Sequence, residues 1–325
     1  MIIIINDCLD PYFNLATEEY LIKNSSEPTF MLWRNEKSVI VGVNQNTAAE
    51  IDRGFCEKNG VKVVRRLTGG GAVFHDLGNV NYTYIEQNDG TKFSNYALFT
   101  KDVMDYLETL GVKSELSGRN DVLVDGKKVI GNAQCVRSGK IMHHGCILYS
   151  ADLSKLSGAL KVNKAKIESK GIKSVSSRVI NIADKLPQKK DAADFIKGLE
   201  SFMKKRYNCP VRGLSEEEKS AISDLAEQKY STFDWNYGNS PEYTYEKTEK
   251  FPFGLLTVSF NAASGIIADI RITGDFFGVK EISLLEDRLK GVRHDIGAIE
   301  SVLENTDIDS FIKGCTKADL IKLFF

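Results

Sequence analysis

Val61-Lys62-Val63-Val64-Arg65-Arg66-Leu67-Thr68-Gly69-Gly70-Gly71-Ala72-Val73-Phe74-His75-Asp76-Leu77-Gly78-Asn79-Val80-Asn81-Tyr82-Thr83-Tyr84-Ile85 is the stretch around which the chain is organised. Its two ends, rich in β-branched and aromatic residues, read as strands. Between them stand two arginines, a hydroxyl and three consecutive glycines. Glycine reaches positive φ and leaves its backbone uncovered, so successive N–H groups can close on a ligand. Such a turn forms an anion-binding concavity, and a neighbouring guanidinium adds bidentate donors. The run reads as a place for something negatively charged. It lacks the Gly-Lys-[Ser/Thr] ending of a P-loop and the spacing of a dinucleotide fingerprint. On the glycines alone, a tight turn carrying a solvated arginine pair is an equal reading.

Outward from this stretch, strands and helices interleave. Residues 2–5 read as a strand, and Asn14, as an N-cap candidate, precedes the helical pattern Leu15–Ile22. Phe30–Trp33 and Ser38–Gly42 read as strands, and Ala48–Asn59 as one helix ending at Gly60. Phe93–Leu110 carries apolar residues at helical spacing. Asp121–Val124 and Lys128–Gly131 flank an Asp125-Gly126 hairpin signal, followed by a strand over Ile141–Tyr149. Asp152–Leu160 and Ala192–Tyr207 read as helices. The frequent hairpins predict an α+β fold with a mixed or antiparallel sheet and flanking helices. Composition turns polar near 236–252, which predicts a domain boundary there, with a large domain over 1–240, a linker at 241–252, and a small α+β domain over 253–325. Within the small domain, Gly254–Phe260 and Gly265–Thr273 read as a hairpin, followed by helices over Val279–Leu289, His294–Asn305 and Ile308 to the end.

The composition is that of an ordinary globular protein, 42% hydrophobic and 27% charged over 325 residues. A formal net charge of −1 gives no global reason to expect nucleic acid. The opening Met1-Ile2-Ile3-Ile4-Ile5 is too short for a signal peptide or a spanning helix, so no membrane association and a cytoplasmic location are expected. Six scattered cysteines form no C-x-x-C pair, which argues against a zinc knuckle or disulfide framework.

Three further groups invite chemistry. Lys128 enters a strand ahead of Val129 and Ile130, where a cation needs an anionic partner unless it lies on the exposed side of the hairpin. His143 and His144 are adjacent on a strand and must point to opposite faces, so one at most enters a given site. Cys135 and Cys146 lie near these motifs, but their neighbours are apolar and no Cys-His dyad is legible.

Taken together, these motifs resemble the lipoate–protein ligase A family over nearly the whole chain. The resemblance is carried by Asn14-Leu15-Ala16 with Glu18-Glu19, Leu32-Trp33-Arg34-Asn35, Val41-Gly42 with Asn44-Gln45-Asn46, and Arg65-Arg66-x-Thr68-Gly69-Gly70-Gly71-Ala72-Val73-Phe74-His75-Asp76. It continues through Gly118-Arg119-Asn120-Asp121, Lys128-x-x-Gly131-x-Ala133, His143-His144-Gly145, Lys170–Val179 and Trp235-Asn236-Tyr237-Gly238.

The resemblance implies a ligase that joins lipoate to ATP as lipoyl-AMP, releases pyrophosphate, and then passes the lipoyl group to an acceptor lysine. It implies that Lys128 stabilises charge between carboxylate and α-phosphate. Arg66, Thr68, Gly69, Gly70, Gly71, Val73, Phe74, Asn120 and Asp121 would then bind ATP and its phosphates, with Asp121 holding Mg²⁺. Leu15, Glu19, Trp33, Arg66, Gly70, Gly71, His75, Ala133 and His144 would surround lipoate. The resemblance also makes Arg65 structural while Arg66 faces the ligand, residues 1–240 the catalytic domain, and 241–252 a hinge. The implied partners are lipoyl domains of 2-oxoacid dehydrogenase complexes or the glycine-cleavage H protein, approached by a monomer whose small domain moves. An octanoyl- or lipoyltransferase using a cysteine thioester without ATP is the competing reading. A biotin ligase and a lipoate-binding module without activity stand behind it.

Overall fold

The computed structural model describes the chain except residues 119, 154–155, 161–177, 189, 238–244 and 264. Arg119, residues 170–177 of the expected signature, Gly238 and residues 241–244 of the expected linker therefore lie outside the described residues.

Among the described residues, three sheets organise the chain. β1 (Ile2–Asn6), β2 (Thr29–Trp33), β3 (Ser38–Val41), β4 (Lys62–Arg65), β5 (Val73–His75) and β6 (Asn79–Gln87) come first. β7 (Glu115–Ser117), β8 (Asp121–Val124), β9 (Lys127–Arg137), β10 (Lys140–Leu148) and β11 (Val211–Arg212) follow. The C-terminal strands are β12 (Tyr245–Phe251), β13 (Gly254–Ala263) and β14 (Ile266–Gly274). The large sheet has the order β11-β1-β2-β6-β10-β9-β8-β7, the small one β4-β3-β5, and the C-terminal one β12-β13-β14. β1 runs parallel to both neighbours, and the pairs from β2 to β7 are antiparallel. The mixed α+β architecture is as the hairpins predicted.

One face of the large sheet packs on the helices Tyr96–Thr109 and Ala192–Tyr207, through Phe99, Val103, Leu107, Phe195 and Leu199. The other face meets α1 (Pro11–Asn24) and the small sheet, joining Leu15, Met31, Trp33, Ile40, Val64 and Leu67 in a second core. The glycine run leaves β4 and returns through β5 of the same small sheet, and it meets the large sheet where Thr68 Oγ1 lies 2.9 Å from His144 Nε2.

Several expected boundaries shift for local reasons. α1 starts at Pro11, because the Asp10 carboxylate accepts from the Tyr12 N–H at 2.8 Å and proline suits the first turn. Asn14 is therefore no cap. It is buried inside the helix, and its amide donates to Cys8 and Arg34 carbonyls and to Asn35 Oδ1. The helix expected over Ala48–Asn59 is broken into Thr47–Glu50 and Arg53–Lys58, since Ile51 bridges to Leu160 and Asp52 caps the second piece. Tyr245–Phe251, expected as linker, is the first strand of the C-terminal meander, hydrogen-bonded along its length to β13. Of the helix expected over Asp152–Leu160, the described residues show Leu156–Ala159, while 154–155 lie outside them. Helix Glu216–Leu225 was not anticipated, although Ser215 and Glu218 form a capping box that the sequence displays as S-x-x-E.

Candidate active site

Paired residues on neighbouring strands point to the same face. His144 lies opposite Thr83 on β6 and Ala133 on β9, and Cys146 lies opposite Asn81 and Gly131. Trp33 on β2 pairs with Asn81. These side chains share the face that meets the glycine run. His143 takes the opposite face, where its ring stacks on Phe99 at 5.0 Å and burial holds its pKa well below the usual histidine value.

Strict alternation would send Lys128 to that same wrong side. A β-bulge corrects it. Asp121 pairs with Gly131 and Val122 with Ile130, but Leu123 then pairs with Lys128, so β9 carries one extra residue. Val129 and Ile130 both enter the core beneath the sheet. Lys128 is thereby turned onto the His144 face, the kind of re-aiming for which bulges are used beside active sites. Its side chain lies across Gly131, where an added Cβ would stand 2.7 Å from Nζ. The backbone is pinned as well: Lys128 N–H donates to the Arg178 carbonyl at 2.8 Å, and Ile180 N–H to the Lys128 carbonyl at 3.1 Å. Lys128 Nζ pairs with Asp121 Oδ1 at 2.7 Å, both side chains about one-third exposed. Asn120 anchors the start of β8 by donating to the Asn132 carbonyl.

The two arginines of the glycine run do different work. Arg65 is 1% exposed and donates to the carbonyls of Gly42, Val43, Gln45, Trp235 and Asn236 and to Thr47 Oγ1. It is structural. Arg66 is also buried, and burial draws its pKa down to about 10, leaving it a cation at neutral pH. Its Nε donates to Thr68 Oγ1 at 2.9 Å, Nη1 to Ile40, and Nη2 to the Gly69 and Gly71 carbonyls at 2.6 and 2.9 Å. Arg66 thus shapes the turn, turning carbonyls inward. Gly70 has φ +92°, a left-handed value that favours glycine.

The C-terminal domain closes on this turn. Gly70 N–H donates to the Phe276 carbonyl at 3.3 Å, and Gly274 N–H to the Asn44 carbonyl at 2.8 Å. A Cβ at Gly69 would stand 2.2 Å from the Phe276 oxygen. Arg137 pairs with Glu281 across the same seam. A cavity of about 410 Å³ opens there, lined by Glu19, Leu67, Gln45, Lys229 and Ile272 among others.

The remaining expected site residues divide by setting. Leu15 and Trp33 line the apolar core between the sheets, and Trp33 Nε1 donates to Thr83 Oγ1 at 2.9 Å. Glu19 accepts from Lys23, Lys229 and Tyr230, each at 2.6 Å, so its carboxylate is fully engaged. Phe74 is packed in a separate core with Val39 and Val41, and Val73 begins the same strand. His75 accepts from Asn35 at Nδ1, and burial presses its pKa down to about 3. Its Nε2–H is then a buried donor with no partner among the described residues, as is Asn81 Nδ2. Glu18 and Gly131 stood in the quoted motifs without a role. Period-2 alternation around Thr83 and His144 was the signal that could have placed Glu18's partners.

Two family models match the chain. The Lipoyl protein ligase A/B catalytic domain covers residues 10–204, and the Bacterial lipoate protein ligase C-terminus covers 240–324. Lipoate-protein ligase LplJ of Bacillus subtilis is 41% identical over 321 residues, 97% of each chain. Lipoate–protein ligase 1 of Staphylococcus aureus is 39% identical over 320 residues, 98% of each. The chain belongs to the lipoate–protein ligase family. Among solved structures, P. falciparum LipL1 in complex with lipoate has a TM-score of 0.79 at 26% identity, covering 94% of both chains. Lipoate-protein ligase A bound with ATP has 0.63 at 28%, covering 73% of this chain and 98% of that one. A bi-partite ligase from Thermoplasma acidophilum, solved with its E2 lipoyl domain, has 0.64 at 28%, covering 75% and 98%.

Proposed function

We infer that the chain is an ATP-dependent lipoate–protein ligase. A lipoate carboxylate oxygen attacks the α-phosphorus of ATP, an acyl–O–P bond forms, and pyrophosphate leaves. The amine of an acceptor lysine then attacks the acyl carbon, a C–N bond forms, the amine loses its proton, and AMP departs. Negative charge develops on phosphate and acyl oxygens in both steps, so fixed cations and N–H donors are the chief requirement.

The observation that carries this reading is the bulge that brings Lys128 onto the face of His144 and Ala133. Among the described residues Lys128 holds a single carboxylate partner there, and it keeps exposed surface for a substrate anion. We assign it to stabilising the charge shared by carboxylate and α-phosphate. The unpartnered donors of His75 and Asn81 suit the acyl oxygens, and the Leu15–Trp33 core suits an apolar tail. The Gly70 amide, now held by Phe276, becomes available to phosphate when the C-terminal domain parts from the turn.

Among the described residues, no group of three or more His, Cys, Asp or Glu side chains could cage a metal. Mg²⁺ bound mostly through substrate phosphates with one carboxylate fits that donor set. Asp121 would hold it, and the ion would neutralise phosphate charge.

The thioester route is disfavoured. Burial pushes both the Cys135 and Cys146 thiols up to about 12, so neither is a ready nucleophile. The acceptor we propose is a lipoyl domain of a 2-oxoacid dehydrogenase or the glycine-cleavage H protein, in line with the E2 lipoyl domain that accompanies the Thermoplasma ligase. No helix among the described residues is long and apolar enough to cross a membrane. The six free cysteines and the need for ATP favour the cytoplasm. Pyrophosphate release with lipoate, ATP and Mg²⁺ tests the reading; release that depends on lipoate supports it, and none contradicts it.

A further inference from the structure

Glu18 is a buried carboxylate, 1% exposed, that the activation chemistry leaves without a task. Burying such a charge is costly unless donors satisfy it. Its Oε1 accepts from Thr83 Oγ1 at 2.6 Å, and His144 Nδ1 lies 2.9 Å from Oε1 and 3.1 Å from Oε2. On the other side of the imidazole, His144 Nε2 lies 2.9 Å from Thr68 Oγ1.

Hydrogen accounting gives this chain a direction. A hydroxyl carries one hydrogen and two lone pairs. Trp33 donates to Thr83 Oγ1, so the Thr83 hydrogen is free to go to Glu18. Arg66 Nε donates to Thr68 Oγ1, so the Thr68 hydrogen has His144 Nε2 as its acceptor. The Glu18 carboxylate can only accept, so Nδ1–H donates to it, and in the neutral imidazole Nε2 is left to accept the Thr68 hydrogen. Both lines of donors end on one carboxylate. One begins at Trp33 and the other at Arg66, whose Nη2 holds the Gly69 and Gly71 carbonyls.

We propose that Glu18 is a positioning residue of the acyl-activating site, fixing His144 as the neutral Nδ1–H tautomer and, through Thr68, setting the Arg66-held glycine turn. The proposal rests on the ligase reading for its consequence and on geometry alone for its tautomer. Without Glu18, no acceptor for Nδ1–H remains among the described residues. Once Nε2 carries the hydrogen instead, the Thr68 hydroxyl loses its acceptor, and the Thr68 side of the Arg66-held turn loses its fixed orientation.

The test uses the full chain. Imidazole ¹⁵N NMR, with His144 assigned by its loss in His144→Gln, should report the Nδ1–H tautomer in the wild type. Glu18→Ala should shift His144 to Nε2–H and lower kcat for pyrophosphate release by about tenfold or more, the scale of one unmade buried hydrogen bond. Glu18→Gln keeps one acceptor oxygen and should restore the tautomer and part of the rate, which a mere packing role would not require. A wild-type His144 found as Nε2–H or as imidazolium overturns the proposal even if Glu18→Ala does not fold. Wild-type kcat in Glu18→Ala also overturns it. Failure of the wild type to release pyrophosphate would instead defeat the ligase reading and leave the tautomer result to be judged by itself.

Discussion

The glycine turn and the Lys128 hairpin lie at one site and are built in opposite ways. The turn is locked from within: Arg65 and Arg66 are buried and spend their donors on backbone carbonyls. The hairpin offers a cation with one ion-pair partner among the described residues, aimed by a bulge and left about one-third exposed. The difference separates two tasks that both use positive charge. Buried guanidiniums with many neutral partners fix shape, while an ammonium about one-third exposed, with one exchangeable partner among the described residues, keeps surface open to a ligand.

Mutations should break that comparison along the same line. Arg65→Met is expected to cost about 3–5 kcal/mol of stability, because several buried carbonyls lose their donor; urea denaturation measures it. Lys128→Ala should leave the denaturation midpoint nearly unchanged and reduce lipoate-dependent pyrophosphate release by about 10²–10³-fold. If Lys128→Ala instead unfolds the protein, the contrast is wrong. Gly131→Ala sharpens the point. The new methyl would stand 2.7 Å from Lys128 Nζ, a flexible tip that can move, so the fold survives while the lysine is displaced. A rate loss of about tenfold at unchanged stability is expected.

A smaller effect concerns Glu19. Burial opposes its ionisation, but hydrogen bonds from Lys229, Lys23 and Tyr230 more than offset this and hold its pKa below the usual carboxylate value. A depressed carboxylate stabilises the fold above its unfolded pKa, and that contribution fades as pH falls through the folded one. Glu19→Gln should therefore be less stable than wild type at pH 7, with the gap closing in acid below about pH 4. A gap that persists at low pH would assign the effect to packing. The smallest change is expected in Cys135→Ala and Cys146→Ala, which should transfer lipoyl groups at close to wild-type rate.

The legibility of this site in the sequence follows the same division. The glycine run, the hairpin signal at Asp125-Gly126 and the opposition of His143 and His144 could be read directly, because turn chemistry and strand alternation are local rules. Asp125 and Gly126 both have positive φ, as that turn demands. The bulge at Val129 was not legible, since two buried apolar residues in a row give no sign of which one is extra. The roles of Arg65 and Arg66 were only partly so. The carbonyls that Arg65 meets come from residues as distant as Trp235 and Asn236, and one that Arg66 meets comes from Ile40, which only the assembled fold brings near. Asn14 misled for a related reason: its amide serves as a cap by type, but tertiary partners outbid the helix end.

The most direct measurement is mass spectrometry of a purified lipoyl domain after incubation with lipoate, ATP and Mg²⁺, comparing the wild-type chain with Lys128→Ala. A lipoyl mass gain on the acceptor lysine with the wild type, lost without ATP and nearly absent with Lys128→Ala, is the predicted result. Modification that proceeds without ATP, or equally well with Lys128→Ala, would contradict it.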